Sequence, residues 1–239
     1  MKFRHSLVIL PLLLSGTVSA QSLTFDFSSL GSALITFQGT GGEFDFSPDA
    51  TTGYDFQIAG ATGSLAGLDG LRGNINGTFT VNLGSPPPSG DPQEAPVTGS
   101  GTLTVSDNSG GVFTADIASS GYNAFTFGSI GGLNKESVVN LSSLTYVGGN
   151  PSNPSYSALA QLANSGSAIE TVSFQFLPAK SLTVLASGGA VNFTTFSGSF
   201  EAIPETPTYA AILGCAVLVF AGLFRWAKAR APVSAPPSL

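Results

Sequence analysis

The sequence of 239 residues predicts an all-β fold: a single β-sandwich-like domain with one short helix, between an N-terminal signal peptide and a C-terminal transmembrane helix. Three observations lead to this prediction. Hydrophobic residues between positions 21 and 202 alternate with polar ones at a period of two, which is typical of strands with one buried face. Glycine clusters separate the alternating runs and supply turns. Each end of the chain carries its own apolar stripe.

The first element, residues 1–20, has the features of a secretory signal peptide. Lys2 and Arg4 give it a basic start, and the apolar stretch 7–14 (LVILPLLL) is too short to span a bilayer. Small residues end the segment at Val18-Ser19-Ala20. We therefore expect signal peptidase to cut between Ala20 and Gln21, and the chain to pass through the secretion machinery.

The body, residues 21–202, is expected to be one exported β-rich domain. Alternating runs predict strands around 23–27, 44–46, 79–83, 103–105 and 172–176. In the last run, a bulge or break at Thr194-Thr195 would bring Val191 and Phe193, as well as Phe196 and Phe200, into the core. The strings GTFTVN and GTLTVS, echoed by SLTVLA from Ser181, are unequally spaced strands of similar environment. Strand spacing favours a sandwich, with an irregular β-solenoid as the alternative.

Two segments of the body depart from the alternating pattern. Residues 85–96 (SPPPSGDPQEAP) hold five prolines, so we expect a surface loop within one domain rather than a boundary between two small ones. Asn153 followed by Pro154 is typical of a helix start, and Leu159 and Leu162 share one helical face. A short helix is therefore predicted here, ending at about Asn164.

The C-terminal stripe, Tyr209 to Phe224, contains sixteen residues without a charge. As a helix it would reach about 24 Å, close to the thickness of a hydrocarbon core. A basic cluster follows directly, and the positive-inside rule then keeps that end in the cytoplasm and the body outside. The cluster consists of Arg225, Lys228 and Arg230.

Residues 203–230 (IPETPTYAAILGCAVLVFAGLFRWAKAR) resemble the tripartite PEP-CTERM sorting signal, with a motif at 204–207, a span at 209–224 and a basic cluster at 225–230. Pro204, Glu205 and Pro207 match the Pro-Glu-Pro-type motif, which Thr206 interrupts. A Pro-rich tail, 231–239, extends beyond the point where most members of the family end. These departures leave two interpretations open. The segment is either a variant signal recognised by a dedicated sorting enzyme or a plain membrane anchor that is never cleaved.

The resemblance implies export, residence in the inner membrane and processing by an exosortase, a membrane-embedded cysteine transpeptidase-like enzyme. It also implies a Gram-negative bacterium that makes exopolysaccharide. The expected final location is the cell surface or the extracellular matrix, and exopolysaccharide is a candidate partner.

Composition excludes several kinds of chemistry. Eight Lys and Arg residues against fourteen Asp and Glu, with a pI near 4.5, exclude a nucleic-acid binder. The single His5 and single Cys215 both lie in the predicted terminal segments, so the body has no imidazole base, thiolate nucleophile or disulfide. No cofactor is expected, and the motifs of metal sites are missing. The segments 49–55 and 107–108 are candidates only for weak calcium binding.

The sequence therefore predicts a non-enzymatic surface or matrix protein with a structural or adhesive role. A carbohydrate-binding module is the first alternative, with tyrosines as the candidate stacking platforms: Tyr54, Tyr122, Tyr146 and Tyr156. A carboxylate-based polysaccharide hydrolase or lyase is the second alternative. It is less favoured because most acidic residues fall on predicted outward faces or in turns, where solvated carboxylates are expected.

Overall fold

Strands dominate the computed structural model of the chain, which describes residues 23–38, 42–85, 87, 89–90, 92–118, 125–127, 134–135, 137–186 and 190–203. The strands of these residues are β1 (Leu23–Ser29), β2 (Leu34–Phe37), β3 (Glu43–Ser47), β4 (Phe56–Ala59), β5 (Arg72–Val81), β6 (Gln93–Ala95), β7 (Val97–Ser106), β8 (Val112–Ile117), β9 (Phe125–Phe127), β10 (Asn134–Lys135), β11 (Ser137–Val147), β12 (Ser167–Phe174), β13 (Asn192–Thr194) and β14 (Phe196–Ile203). Their helices are a 3₁₀ helix (Gly63–Leu68), α1 (Pro154–Ala163) and α2 (Leu182–Ala186).

Eight strands close into an antiparallel barrel in the order β5-β4-β1-β14-β12-β11-β8-β7, and β7 pairs back onto β5. The closing register runs without interruption from Arg72 opposite Ser106 to Val81 opposite Val97. The all-β class is thus confirmed, but the predicted sandwich and its solenoid alternative are wrong. Because β5 hydrogen-bonds β7 along its whole length, the ring has no open edges that would separate two sheets.

A small sheet is attached to the barrel at a fork in β5. The edge of β5 opposite β7 pairs with β4 near Arg72 and Gly73, and with β3 near Phe79 and Thr80. Beyond β3, the sheet continues with β2 and then β13. A separate three-stranded sheet has the order β10-β9-β6. The fork lets one long strand serve both the barrel and its attached sheet.

The barrel interior is filled by the inward residues of the period-two runs. Phe25 stacks on Phe200 across β1 and β14 at 4.8 Å between ring centroids, and Phe27 lies 4.7 Å from Phe56. Gly198 is needed here because a Cβ at this position would lie 2.3 Å from the Phe27 ring and 2.2 Å from a backbone oxygen. The bulky aromatic side chain therefore occupies space that the neighbouring strand leaves vacant.

The two ends of the barrel are covered differently. At the end where β1 begins and β14 finishes, which we call the proximal end, the 3₁₀ helix packs against α1. Leu65, Leu68, Leu159 and Leu162 are buried there. The opposite end, the distal end, is covered by the β13-β2-β3 sheet, whose Phe37 ring lies 5.3 Å from Phe174 of the barrel. Helices thus close one end and a sheet closes the other.

Most predicted elements of the body are confirmed. The alternating runs coincide with β1, β3, β5, β7 and β12, and the predicted helix is α1. The Asn153 side chain accepts a hydrogen bond from the Ser155 N–H, as expected of an N-cap. Leu159 and Leu162 are buried on its inner face.

Three local predictions are wrong. The described residues form two helices besides the predicted one, and one of them, α2, begins within the string SLTVLA, for which a strand is predicted. The predicted loop 85–96 includes β6, which pairs with β9. The break between β13 and β14 occurs at Thr195 as predicted, but Val191 and Phe193 are exposed rather than buried. The reason is that β13 pairs only with β2 in the attached sheet, where the odd positions point to the outside.

The predicted terminal segments lie outside the described residues. They comprise the signal peptide with Ala20 and Gln21, the motif at Pro204, Glu205 and Pro207, the span from Tyr209 to Phe224, the basic cluster and the tail 231–239. In the part of the chain that is described, none of the helices combines the length and the hydrophobicity needed to cross a bilayer.

Candidate functional site

The described part of the chain offers no assembled metal centre. Its residues contain neither His nor Cys, and nowhere among them do three or more Asp or Glu side chains lie in a group that could hold an ion. The expectations of no cofactor and no enzymatic activity stay predictions. The acidic side chains nevertheless differ strongly from one another, and three of them were wrongly expected to be solvated: Asp49, Asp55 and Asp107, all of which are buried.

Asp107 lies in the turn between β7 and β8 at the proximal end, and it is 1% exposed. Its Oδ1 accepts hydrogen bonds from the N–H groups of Ser109 and Gly111, both at 2.7 Å. Its Oδ2 accepts from the Ser109 hydroxyl at 2.7 Å and from the Tyr146 hydroxyl at 2.6 Å. Burial raises the pKa of Asp107, but these hydrogen bonds outweigh burial and hold the pKa below its usual value. The predicted calcium candidate is therefore saturated by protein donors.

Asp49 has the same kind of environment in the loop between β3 and β4. Ser32 donates its N–H and its hydroxyl to Oδ1 at 2.9 and 2.8 Å. Thr52 donates its N–H and its hydroxyl to Oδ2, both at 2.9 Å. The hydrogen bonds from Ser32, followed by those from Thr52, hold the pKa of Asp49 well below its usual value. This carboxylate ties its loop to the turn after β1.

Asp55 lies directly before β4, at the fork where β5 changes its partner from β4 to β3. It is 2% exposed, and its Oδ2 accepts a hydrogen bond from the Ile75 N–H of β5 at 2.7 Å. Its Oδ1 is buried without a hydrogen-bond partner among the described residues. Burial, with a smaller contribution from the charge of Asp45, raises the pKa of Asp55 to about 6, against the opposing effect of the Ile75 hydrogen bond. At the fork, the Asp55 carboxylate thus accepts a hydrogen bond from a β5 N–H group that has no partner strand there, which is a structural role.

Glu170 is a buried acid that the sequence analysis missed. It is 0% exposed, and it points into the barrel from β12 together with Ala168, Val172 and Phe174. Its burial could have been predicted from the alternating pattern, since residue 170 is separated by even numbers of positions from Val172 and Phe174 and so lies on the same face of the strand.

Of the tyrosines predicted as sugar platforms, two pack against each other, one is half-buried in a loop and one lies outside the described residues. The Tyr146 hydroxyl donates to Asp107, and the ring of Tyr146 packs edge-on against Tyr156 at 5.4 Å. Burial and the neighbouring Asp107 carboxylate raise the pKa of Tyr146 above its usual value. Tyr54 is half-buried in the Asp49 loop, and Tyr122 lies outside the described residues. Tyr146 and Tyr156 therefore hold the proximal loops in place.

The distal end carries an open groove of about 420 Å³ on the outer side of β1, β14 and β12. Ser28, Ser197 and Ser173 lie opposite one another on these three strands. Hydroxyl and amide side chains from the strand ends, together with two phenylalanines, complete the lining: Ser29, Gln175, Thr195, Phe174 and Phe196. No charged residue is among the lining residues that the structure describes. We take this groove as the candidate binding site.

One aromatic ring that is close to the groove in the sequence is exposed. Phe193 is 60% exposed on the outer side of the attached sheet, opposite Thr36 of β2 and two residues before Thr195 of the groove. The predicted core position of this ring is therefore wrong. Its exposure provides an aromatic surface at the distal end.

The arrangement of the chain ends relates the groove to the predicted terminal segments. Leu23 lies opposite Ala202 at the proximal end, whereas Ser28 lies opposite Ser197 at the distal end. The predicted signal peptide and the predicted sorting signal, which adjoin the first and last strands in sequence, would therefore join the body at the end remote from the groove.

Comparisons of the chain with protein-family models, with curated proteins and with solved structures find no match.

Proposed function

We propose that the chain is an exported, non-enzymatic protein of the cell surface or extracellular matrix, delivered by a PEP-CTERM-like C-terminal sorting signal. One observation carries the proposal: a Pro-Glu-Thr-Pro motif, an uncharged span of sixteen residues and a basic cluster follow the body in that order. Pro204 and Pro207 favour an extended strip just before the span, which suits recognition by an enzyme at the bilayer surface. The partners are signal peptidase, the secretion machinery and an exosortase-like enzyme in the inner membrane.

The fold supports this proposal through the position of the chain ends. Leu23 and Ile203 lie at the same end of the barrel, so a membrane anchor after Ile203 would hold the proximal end toward the bilayer. β1 extends from there over seven residues, or about 20 Å at the usual rise per residue of a strand. The distal end would then face the surrounding polysaccharide.

A structural or adhesive role agrees with the surface that the strands present. The outward positions of β1 and β14 are rich in hydroxyl side chains, while the body has few basic residues, namely Arg72, Lys135 and Lys180. Hydroxyl and amide groups can exchange hydrogen bonds with glycan hydroxyls without the desolvation cost of a charge. Among the alternatives, carbohydrate binding is favoured by the groove at the distal end.

The proposal is tested by fractionating cells that possess or lack the sorting enzyme and measuring the C-terminal mass of the protein. The expected result is a full-length, membrane-bound form without the enzyme and a shortened, surface or matrix form with it. Glu205→Ala with Pro204→Ala should block the shortening, whereas Pro232→Ala in the tail serves as a matched control and should not. The same mass and the same location in both strains would overturn the sorting proposal.

A further inference from the structure

We propose that the distal groove is a binding site for a neutral saccharide, with the serine row Ser28-Ser197-Ser173 as its hydrogen-bonding face. The inference deepens the proposed function and rests on it for where the glycan is met, but the chemistry of the groove is independent of sorting. The groove is large enough for a short saccharide segment, at about 420 Å³.

The serine row has hydroxyls available for a ligand. Among the described residues, Ser28, Ser173 and Ser197 form no side-chain hydrogen bond. The adjacent row of the same strands differs, since the Thr171 and Ser199 hydroxyls bond each other at 2.6 Å. Neighbouring strands lie about 4.8 Å apart, so the serine row presents three donor-acceptor groups at regular spacing. A chain of sugar hydroxyls is a suitable partner for such a row.

The charge of the site favours a neutral glycan over an acidic one. The lining residues that the structure describes carry hydroxyl, amide and aromatic side chains, and none of these residues is charged. The body carries far more acidic residues than its three basic ones, so an anionic polysaccharide would meet repulsion without a compensating cation in the groove.

The candidate for apolar contact with the C–H faces of a sugar is Phe193. Phe174 and Phe196 belong to the groove lining but are only 3% and 4% exposed, so their rings are not available to a ligand. The Phe193 ring is 60% exposed, two residues before Thr195 in the sequence. Polar groups that fix orientation beside apolar surface are the usual composition of a ligand site. We assign the serine row and Gln175 to hydrogen bonding and Phe193 to apolar contact.

The experiment is affinity electrophoresis of the full chain in detergent through gels that contain dextran, laminarin or hydroxyethylcellulose, with alginate as the anionic comparison. At least one neutral glucan should retard the protein, and alginate should not. The double variant Ser173→Ala with Ser197→Ala should weaken binding about tenfold, since each hydrogen bond lost to a ligand has a modest net effect. Phe193→Ala should also weaken it.

The matched controls lie away from the groove. Ser142→Ala changes an exposed serine of β11, and Val147→Ala changes an exposed apolar residue at the far end of that strand. Both should bind as the unchanged chain does, and thermal unfolding should show that every variant is folded. Absence of retardation by all three neutral glucans, or equal binding by the serine double variant and its control, would overturn the site. Neither result bears on the sorting proposal, which is decided by the C-terminal mass.

Discussion

Asp107 at the proximal end and Asp55 at the distal end are two buried carboxylates with opposite electrostatic behaviour. Asp107 accepts four hydrogen bonds and has a lowered pKa. Asp55 accepts one hydrogen bond and has a pKa raised to about 6. Both side chains are at most 2% exposed. Burial alone therefore does not decide the state of a carboxylate in this fold; the number of donors around it does.

The difference follows from where each residue lies. Asp107 is in a turn, where the backbone N–H groups of Ser109 and Gly111 converge on its Oδ1. Asp55 stands at a fork between two strands, where most neighbouring N–H groups already belong to ladders and only that of Ile75 remains. The proximal carboxylate stabilises its turn as an anion, whereas the distal one is easier to bury as a neutral acid.

The largest expected effect is that of Asp107→Ala. The change leaves the N–H of Gly111 and the Tyr146 hydroxyl without their acceptor, and we expect a loss of about 3 kcal/mol in the free energy of unfolding, measured in urea at pH 7. Asp116→Ala, at an exposed position of β8, is the control and should stay within about 0.5 kcal/mol. Equal effects of the two changes would show that the donors around Asp107 are not stabilising.

A smaller loss is expected for Tyr146→Phe, about 1 kcal/mol at pH 7, because one donor to Asp107 is removed while the ring can still pack on Tyr156. The lowered pKa of Asp107 stabilises the fold above the unfolded value near 3.8, and this contribution is lost as the pH falls through the folded value. The variant should therefore differ most from the unchanged chain at neutral pH and least at pH 2. A difference independent of pH would contradict the role of Tyr146 as a donor to the anion.

Asp55→Asn should raise the free energy of unfolding, whereas the two preceding changes lower it. The folded-state pKa of Asp55, about 6, lies above the unfolded value of 3.8, so the folded protein holds an additional proton between these values. Stability is thus lost as the pH rises from about 4 to 6, and asparagine abolishes that loss. We expect the variant to gain about 1 kcal/mol over the unchanged chain at pH 8 and nothing at pH 4, by chemical denaturation. A loss at pH 8 would show that the anion is stabilised at the fork.

The smallest effect on stability is expected at Phe193. Because its ring is 60% exposed, Phe193→Ala should alter the free energy of unfolding by no more than about 0.5 kcal/mol. Differential scanning calorimetry at pH 7 would check this. A loss of several kcal/mol would mean that the ring is buried and would remove it from the proposed saccharide site.

Local features of the fold could be predicted from the sequence, and long-range ones could not. The period of two predicted β1 and β12 because each strand buries one face, and Asn153 with Pro154 predicted the start of α1. Closure of the barrel depends on β7 pairing with β5, and alternation is the same whether a strand belongs to a sandwich or a barrel.

The candidate site was harder to predict than the strands. Alternation assigned Phe193 to the core, but in the attached sheet the same parity points to the outside. The serine row is made by three strands far apart in sequence, and only their register brings Ser28, Ser197 and Ser173 into line. The turn carboxylates were expected to be solvated because the sequence does not show how many donors converge on Asp49 or Asp107.

The pairing of β14 with both β1 and β12 ends at Ala202 and Ile203, immediately before the Pro-Glu-Thr-Pro motif. Proteolysis anywhere from residue 204 onward would remove no rung from either ladder. A body cut at the predicted sorting signal would therefore keep both ladders intact, with no refolding and no newly uncovered strand edge to promote aggregation.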